Sequence, residues 1–182
     1  MVLISIGTAG TTPQQIVRTA ISEIGHEIDS VAKISGLYLT SSFPAGSGPD
    51  FVNAAIRIET DRAPVEILAI LHRIEAAAGR VRTGRWGPRT LDLDLLAVGD
   101  LVLPDAATQG RWRALSLADQ QRLTPEGLVL PHPRLQDRAF VLVPLADIAP
   151  AWVHPLLGLS VAAMLAALSA TDRAAVIPFA PV

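Results

Sequence analysis

Leu91-Asp92-Leu93-Asp94-Leu95-Leu96-Ala97-Val98 is the stretch on which the fold turns. Its opening alternation is the two-residue period of a strand, with Leu91, Leu93 and Leu95 on one face and Asp92 and Asp94 together on the other. Working upstream, Pro64 opens a helix whose apolar stripe is Ile67, Leu68, Leu71 and Ile74, and Gly79 closes it. Before that helix, Phe51–Thr60 returns to strand spacing with Val52, Ala54, Ile56 and Ile58 on one face, and Ile28–Thr40 alternates loosely around a break near Gly36. Thr12 and Pro13 suit the cap and first position of a helix carrying Ile16, Val17, Ala20, Ile21 and Ile24 up to Gly25. Val2–Ile6 is an apolar first strand ending at Gly7. The order is strand, helix, strand, strand, helix, strand. That order predicts an α+β, ferredoxin-like βαββαβ sandwich, an antiparallel sheet with helices packed on one face.

Downstream, Pro104–Gly127 is more polar, with a short helix expected around Leu115–Leu123, and reads as an insertion at 104–127. Leu128–Leu130 and Ala139–Val143 are strand candidates, and Val161–Leu168 is a closing helix in a C-terminal extension. A length of 182 residues suits a single domain over 1–182, long enough to bury a core without metal or disulfide staples. With 50% hydrophobic and 18% charged residues, the chain is not of a disordered class. The absence of cysteine excludes disulfides, thiolate metal sites and a cysteine nucleophile. No apolar run is long enough to span a bilayer and the start lacks the pattern of a secretory signal, so the expectation is a soluble, cytoplasmic protein with no membrane partner.

A formal charge of −2 and 4% aromatic residues argue against a nucleic-acid partner. The basic residues are instead concentrated: Arg80, Arg82, Arg85 and Arg89 share one short stretch that leads into the Asp92–Asp94 strand. On a strand, those two carboxylates lie roughly 6.5–7 Å apart at the backbone. Like charges so placed raise one another's pKa unless a cation intervenes, and oxygen-only ligands suit Mg²⁺. The same alternation also occurs on the solvated face of an edge strand. Guanidinium groups beside the pair favour the first alternative, because a polyphosphate needs cations where metals do not reach. Trp86, inside Trp86-Gly87-Pro88, is either a lid residue or a core anchor. His132 stands stiffly between Pro131 and Pro133, ahead of Arg138. No Gly-Lys-Ser/Thr phosphate loop is present, and Gly7-Thr8-Ala9-Gly10 is only a tight turn.

The run from Arg85 to Asp94, Arg-Trp-Gly-Pro-Arg-Thr-Leu-Asp-Leu-Asp, resembles the signature of the hydroxymethyldihydropterin pyrophosphokinase family of folate biosynthesis. Leu130-Pro131-His132-Pro133-Arg134-Leu135 with Arg138, Phe140, Pro144-Leu145 and Asp147-Ile148-Ala149-Pro150 is similar to the same family, as are Phe51-Val52-Asn53-Ala54 and Arg73-Ile74-Glu75. The blocks fall in family order over roughly Val2 to Pro150. The resemblance implies pyrophosphate transfer from ATP to 6-hydroxymethyl-7,8-dihydropterin with release of AMP. It implies two Mg²⁺ ions on Asp92 and Asp94, and Arg82 and Arg89 on the transferring phosphates. Glu75, Trp86, Leu95, His132 and Arg138 then join Arg82 and Arg89 around ATP. Phe51 and Phe140 stack on the pterin, Asn53 and Thr40 bond its edge, and Phe43 lies on the adjoining loop. The first turn departs from the usual Gly-Ser-Asn, reading Gly7-Thr8-Ala9, and His72 stands where glutamine is common.

Overall fold

The computed structural model describes residues 1–9, 12–28, 31–41, 49–79 and 90–179. Its elements are β1 (Val2–Ala9), α1 (Pro13–Ile28), β2 (Val31–Ile34), β3 (Tyr38–Thr40), β4 (Phe51–Ile58), α2 (Pro64–Ala77) and β5 (Asp92–Val98). There follow α3 (Ala106–Ala114), α4 (Leu117–Arg122), a 3₁₀ turn at Leu135–Asp137, α5 (Ala139–Ile148), α6 (Val161–Ala167), α7 (Ala170–Ala174) and β6 (Ile177–Pro178). Phe43, Arg80, Arg82, Arg85, Trp86 and Arg89 lie outside the described residues.

The strands form one sheet in the order β5-β1-β4-β3-β6, with β2 also paired to β4, and every pairing is antiparallel. Short strands β2 and β3 share one side of β4. Between them the ladder is kept by Ser35: its N–H donates to the Ala55 carbonyl (3.0 Å) and its Oγ accepts the Ala55 N–H (2.8 Å). The loose alternation around Gly36 is therefore one strand broken in two. β6 covers the far edge, pairing Leu39 with Ile177.

On the first face, Val2, Ile4, Ile6, Val52, Ala54, Ile56, Leu93 and Leu95 meet Val17, Ala20, Ile24 and Ile28 of α1 and Ile67, Leu71 and Ile74 of α2. Each of the valine, leucine and isoleucine side chains among them contributes about 1.5–3 kcal/mol by leaving water. That scale explains why α1 runs through Gly25 to Ile28 rather than ending there. Ile28 lies one turn beyond Ile24 and is fully buried, and its burial outweighs the roughly 1 kcal/mol that an interior glycine costs. α2 starts with the Glu66 carboxylate accepting the Ala63 N–H (3.2 Å) and stops at Gly79, whose φ of +82° suits glycine.

The expectation of helices on one face only is corrected. Leu3, Ala55, Leu96 and Ala97 form a second core with Val141, Leu142, Leu145 and Ile148 of α5 and Val161 and Met164 of α6. The sheet is the middle of three layers. Ala139–Val143 is accordingly helix, not strand: its apolar run continues at helical spacing through residues 141, 142, 145 and 148, all buried. Leu128–Leu130 contributes a single bridge, Leu130 to Leu103, instead of a strand.

The register shifts between Leu3 and Ile4, where β5 gains one residue: Leu95 pairs with Ile4 but Ala97 pairs with Leu3. This bulge keeps Leu93 and Leu95 in the first core while turning Leu96 and Ala97 into the second. Asp92 and Asp94 share the second face with Leu3 and Ala55, beyond the part that α5 and α6 bury.

Candidate active site

Cross-strand register assembles the site on that second face. One row runs Asp92, Gly7, Asn53, Tyr38 across β5, β1, β4 and β3. A second row places Asp94 beside Ser5 and Ser5 beside Ala55, and a third aligns Ala9, Phe51 and Thr40. Five residues singled out in the sequence, Thr40, Phe51, Asn53, Asp92 and Asp94, are thus brought to one surface. Gly7 is its floor. A β-carbon there would stand 3.6 Å from Asn53 Oδ1 and 4.0 Å from Asp92 Cβ.

Asn53 is 5% exposed, and its Nδ2 donates to Thr40 Oγ1 (2.9 Å) and to the Tyr38 carbonyl (3.5 Å). Those bonds turn the amide so that Oδ1, an acceptor, points across Gly7. Beside it, the Tyr38 hydroxyl donates to Asp147 Oδ2 (2.8 Å), which also accepts the Gly36 N–H (3.0 Å). Burial, then the bonded carboxylate, pushes the Tyr38 phenol up to about 12, so it stays protonated and keeps donating. This bond ties the far end of α5 to β3. The near end of α5 carries Phe140, whose ring centre lies 5.6 Å from the Arg138 guanidinium.

β5 is an edge strand, and a cavity of about 460 Å³ lies along its outer side. Its walls are Leu68, His72 and Glu75 from α2, residues 92–95 of β5, Pro125 and Gly127 to Val129, and His132 with Pro133. Edge-strand polar groups here have partners: Glu75 Oε1 accepts the Leu93 N–H (2.9 Å) and the Leu96 carbonyl accepts the His132 N–H (2.8 Å). Leu95 lines the cavity while its side chain stays in the first core.

His132 Nδ1 accepts the Arg134 N–H (3.1 Å), so the neutral ring carries its proton on Nε2. Burial lowers the pKa of that ring, with the Asp94 carboxylate the main opposing influence. Arg138 is pressed in the same direction by burial and again opposed first by Asp94, then more weakly by other carboxylates including Asp92. The acidic pair therefore sits in the field of a confined guanidinium. Among the described residues no three or more His, Asp or Glu side chains gather as a metal cluster.

Of the residues singled out in the sequence, Glu75, Asp92, Asp94, Leu95 and His132 line the cavity, while Thr40, Phe51 and Asn53 occupy the adjoining face. Arg138 and Phe140 stand at the start of α5. Arg82, Trp86, Arg89 and Phe43 are outside the described residues. Sequence reasoning passed over Gly7 as floor, Tyr38 and Asp147 as a tie, and Gly127 to Val129 as cavity wall. The last had a faint signal, since they directly precede the Pro131-His132-Pro133 block.

Residues 3–150 match the family model described as 7,8-dihydro-6-hydroxymethylpterin-pyrophosphokinase (HPPK). A relative from Synechocystis sp., named 2-amino-4-hydroxy-6-hydroxymethyldihydropteridine pyrophosphokinase, is 38% identical over 83% of this chain and 65% of its own. One of the same name from Pseudomonas aeruginosa is 35% identical over 82% of this chain and 80% of its own. The crystal structure of an HPPK-DHPS in complex with substrates superposes with a TM-score of 0.67 over 91% of this chain and 42% of that one. At 14% identity it speaks to the fold alone.

Proposed function

We propose that this chain, which belongs to the 7,8-dihydro-6-hydroxymethylpterin-pyrophosphokinase family, transfers pyrophosphate from ATP to the hydroxymethyl group of 6-hydroxymethyl-7,8-dihydropterin and releases AMP. One observation carries the reading: Asp92 and Asp94 lie where the Thr40–Phe51–Asn53 face meets the cavity lined by Glu75 and His132. A flat heterocycle on the face and a nucleotide in the cavity would both reach the carboxylate pair. The reaction forms a bond from the hydroxymethyl oxygen to the β-phosphorus and breaks the bond from that phosphorus to the oxygen AMP keeps. The hydroxyl proton passes to solvent.

The donor set fits Mg²⁺. Two carboxylates, with no cluster of three or more His, Asp or Glu side chains among the described residues, leave positions for water and phosphate oxygens, which Mg²⁺ favours. Two ions held by Asp92 and Asp94 would neutralise phosphate charge and polarise the reacting oxygens. The chain's own residues do the rest. Asn53 reads the donor–acceptor edge of the pterin with Oδ1, Thr40 holds the amide in place, and Phe51 and Phe140 supply apolar faces. Arg138 donates to phosphate oxygens near Asp94, and the neutral His132 offers Nε2–H as a further donor. Glu75 and Leu95 border the nucleoside end of the cavity. Of the residues outside the described ones, the same reading assigns Arg82 and Arg89 to phosphate oxygens, Trp86 to ATP and Phe43 to the pterin.

The same reading takes the core as ferredoxin-like, β2 and β3 together standing for its second strand and β5-β1-β4 for the others. It takes residues 1–182 as one domain with 104–127 inserted, acting in the cytoplasm. No helix among the described residues is long and apolar enough to cross a membrane. The test is product identity. With ATP, the reduced pterin and Mg²⁺, ³¹P NMR is expected to show AMP and a pterin diphosphate in equal amounts; ADP as the sole nucleotide product would overturn the reading.

A further inference from the structure

Leu103 and Leu130 form an isolated antiparallel bridge, each N–H donating to the other's carbonyl (2.9 and 3.0 Å). Between them the chain leaves the end of β5, builds α3 and α4, and returns to the sheet edge. The returning limb, Gly127 to Val129, forms part of the cavity wall. From α3 comes one fully buried polar side chain, Gln109, whose Nε2 donates to the Pro131 carbonyl (3.2 Å).

That carbonyl belongs to the same peptide unit as the His132 N–H, which donates to the Leu96 carbonyl (2.8 Å). Both polar groups of one peptide plane are therefore held from opposite sides, the oxygen by α3 and the hydrogen by β5. The attached ring is fixed in turn by the Arg134 N–H on Nδ1. A plane held at one end alone can rock, and a displacement near 1 Å at a reacting site costs up to about a hundredfold in rate. The bond from Gln109 is buried, where a hydrogen bond is stronger than in water. α3 itself is anchored at Asp105, whose carboxylate accepts the Thr108 N–H and hydroxyl (both 2.8 Å).

We propose that Gln109 is a positioning residue for His132, which makes the 103–130 excursion part of the nucleotide site and not a surface appendage. The inference rests on the reading that the cavity takes ATP. A role confined to satisfying a buried carbonyl would lower stability without separating one substrate from the other.

The test is steady-state AMP release with ATP and pterin varied separately, for Gln109→Met, which keeps the volume and removes the donor. The expected result is a KM for ATP raised about tenfold, a KM for the pterin within about twofold, and shifted ¹⁵N resonances of the His132 ring. Asp105→Ala loosens α3 from the surface, and a KM for ATP raised about threefold is expected of it even if Gln109→Met does not fold. Folded variants with an unchanged KM for ATP, or with both KM values rising together, overturn the inference. Wild-type protein that releases no AMP overturns the functional reading beneath it, and the inference with it; an active wild type with unmoved variants overturns the inference alone.

Discussion

Gly7 lies between Asn53 and Asp92, and a methyl group at that position would meet Asn53 Oδ1 at 3.6 Å. That is ordinary van der Waals contact, so Gly7→Ala is expected to fold while filling the floor on which the substrate ring would lie. The predicted outcome is a pterin KM raised about tenfold with the melting temperature and the KM for ATP little changed; unchanged pterin kinetics would remove Gly7 from the site. At this scale, residues on a regular strand were legible. Alternation alone places Asp92 and Asp94 on one face, and the register brings Asn53 and Thr40 alongside. Gln109 was not legible, because what defines it is a carbonyl 22 residues away that no local pattern announces. Tyr38 and Asp147 are 109 residues apart and were hidden for the same reason.

Elements were legible where their period was unambiguous. The Ile67, Leu71 and Ile74 stripe of α2 and the alternation of β4 became the elements they suggested. The run Ala139 to Val143 did not, because consecutive apolar residues fit a buried strand and a buried helix equally. Position decided it: α5 had to cover Leu3, Ala55, Leu96 and Ala97, and only a helix brings Val141, Leu142, Leu145 and Ile148 onto one side. Its hydrophobic contacts are non-directional, whereas the Asp147 carboxylate gives its far end a directional tie to β3. Through that helix, a bond at Tyr38 helps to set where Phe140 stands. The extra residue in β5 had no sequence signature, yet it lets one strand serve both cores.

Over the whole molecule, the succession of strands and helices to Val98 was legible except that Ile28–Thr40 supplies two strands, β2 and β3, where one was expected. The third layer was not legible, since burial of the second face depends on segments far along the chain. The same layering gives stability a pH dependence. His154 is fully buried beside Trp152, with Nδ1 accepting the N–H groups of Leu156 (3.2 Å) and Leu157 (3.3 Å). Burial first, and then the Arg113 charge, lower its pKa from 6.5 to about 4. The unfolded chain takes up this proton below about pH 6.5 and the folded chain only near 4. Stability from this residue is therefore present at neutral pH, falls as pH drops through that window, and levels off below it. Urea titrations from pH 7 to 4 are expected to follow that course, and a His154→Gln variant is expected to lose part of the slope; an identical slope in the variant would remove His154 as the cause.

Turnover in this site requires the two carboxylates of β5 to act on the phosphates rather than on the fold. Single-turnover AMP formation by Asp92→Asn and Asp94→Asn, at saturating Mg²⁺, ATP and pterin, measures this most directly. Each variant is predicted to lose about a thousandfold or more in rate while unfolding at nearly the wild-type urea concentration. Rates within about tenfold of wild type in both variants would contradict it.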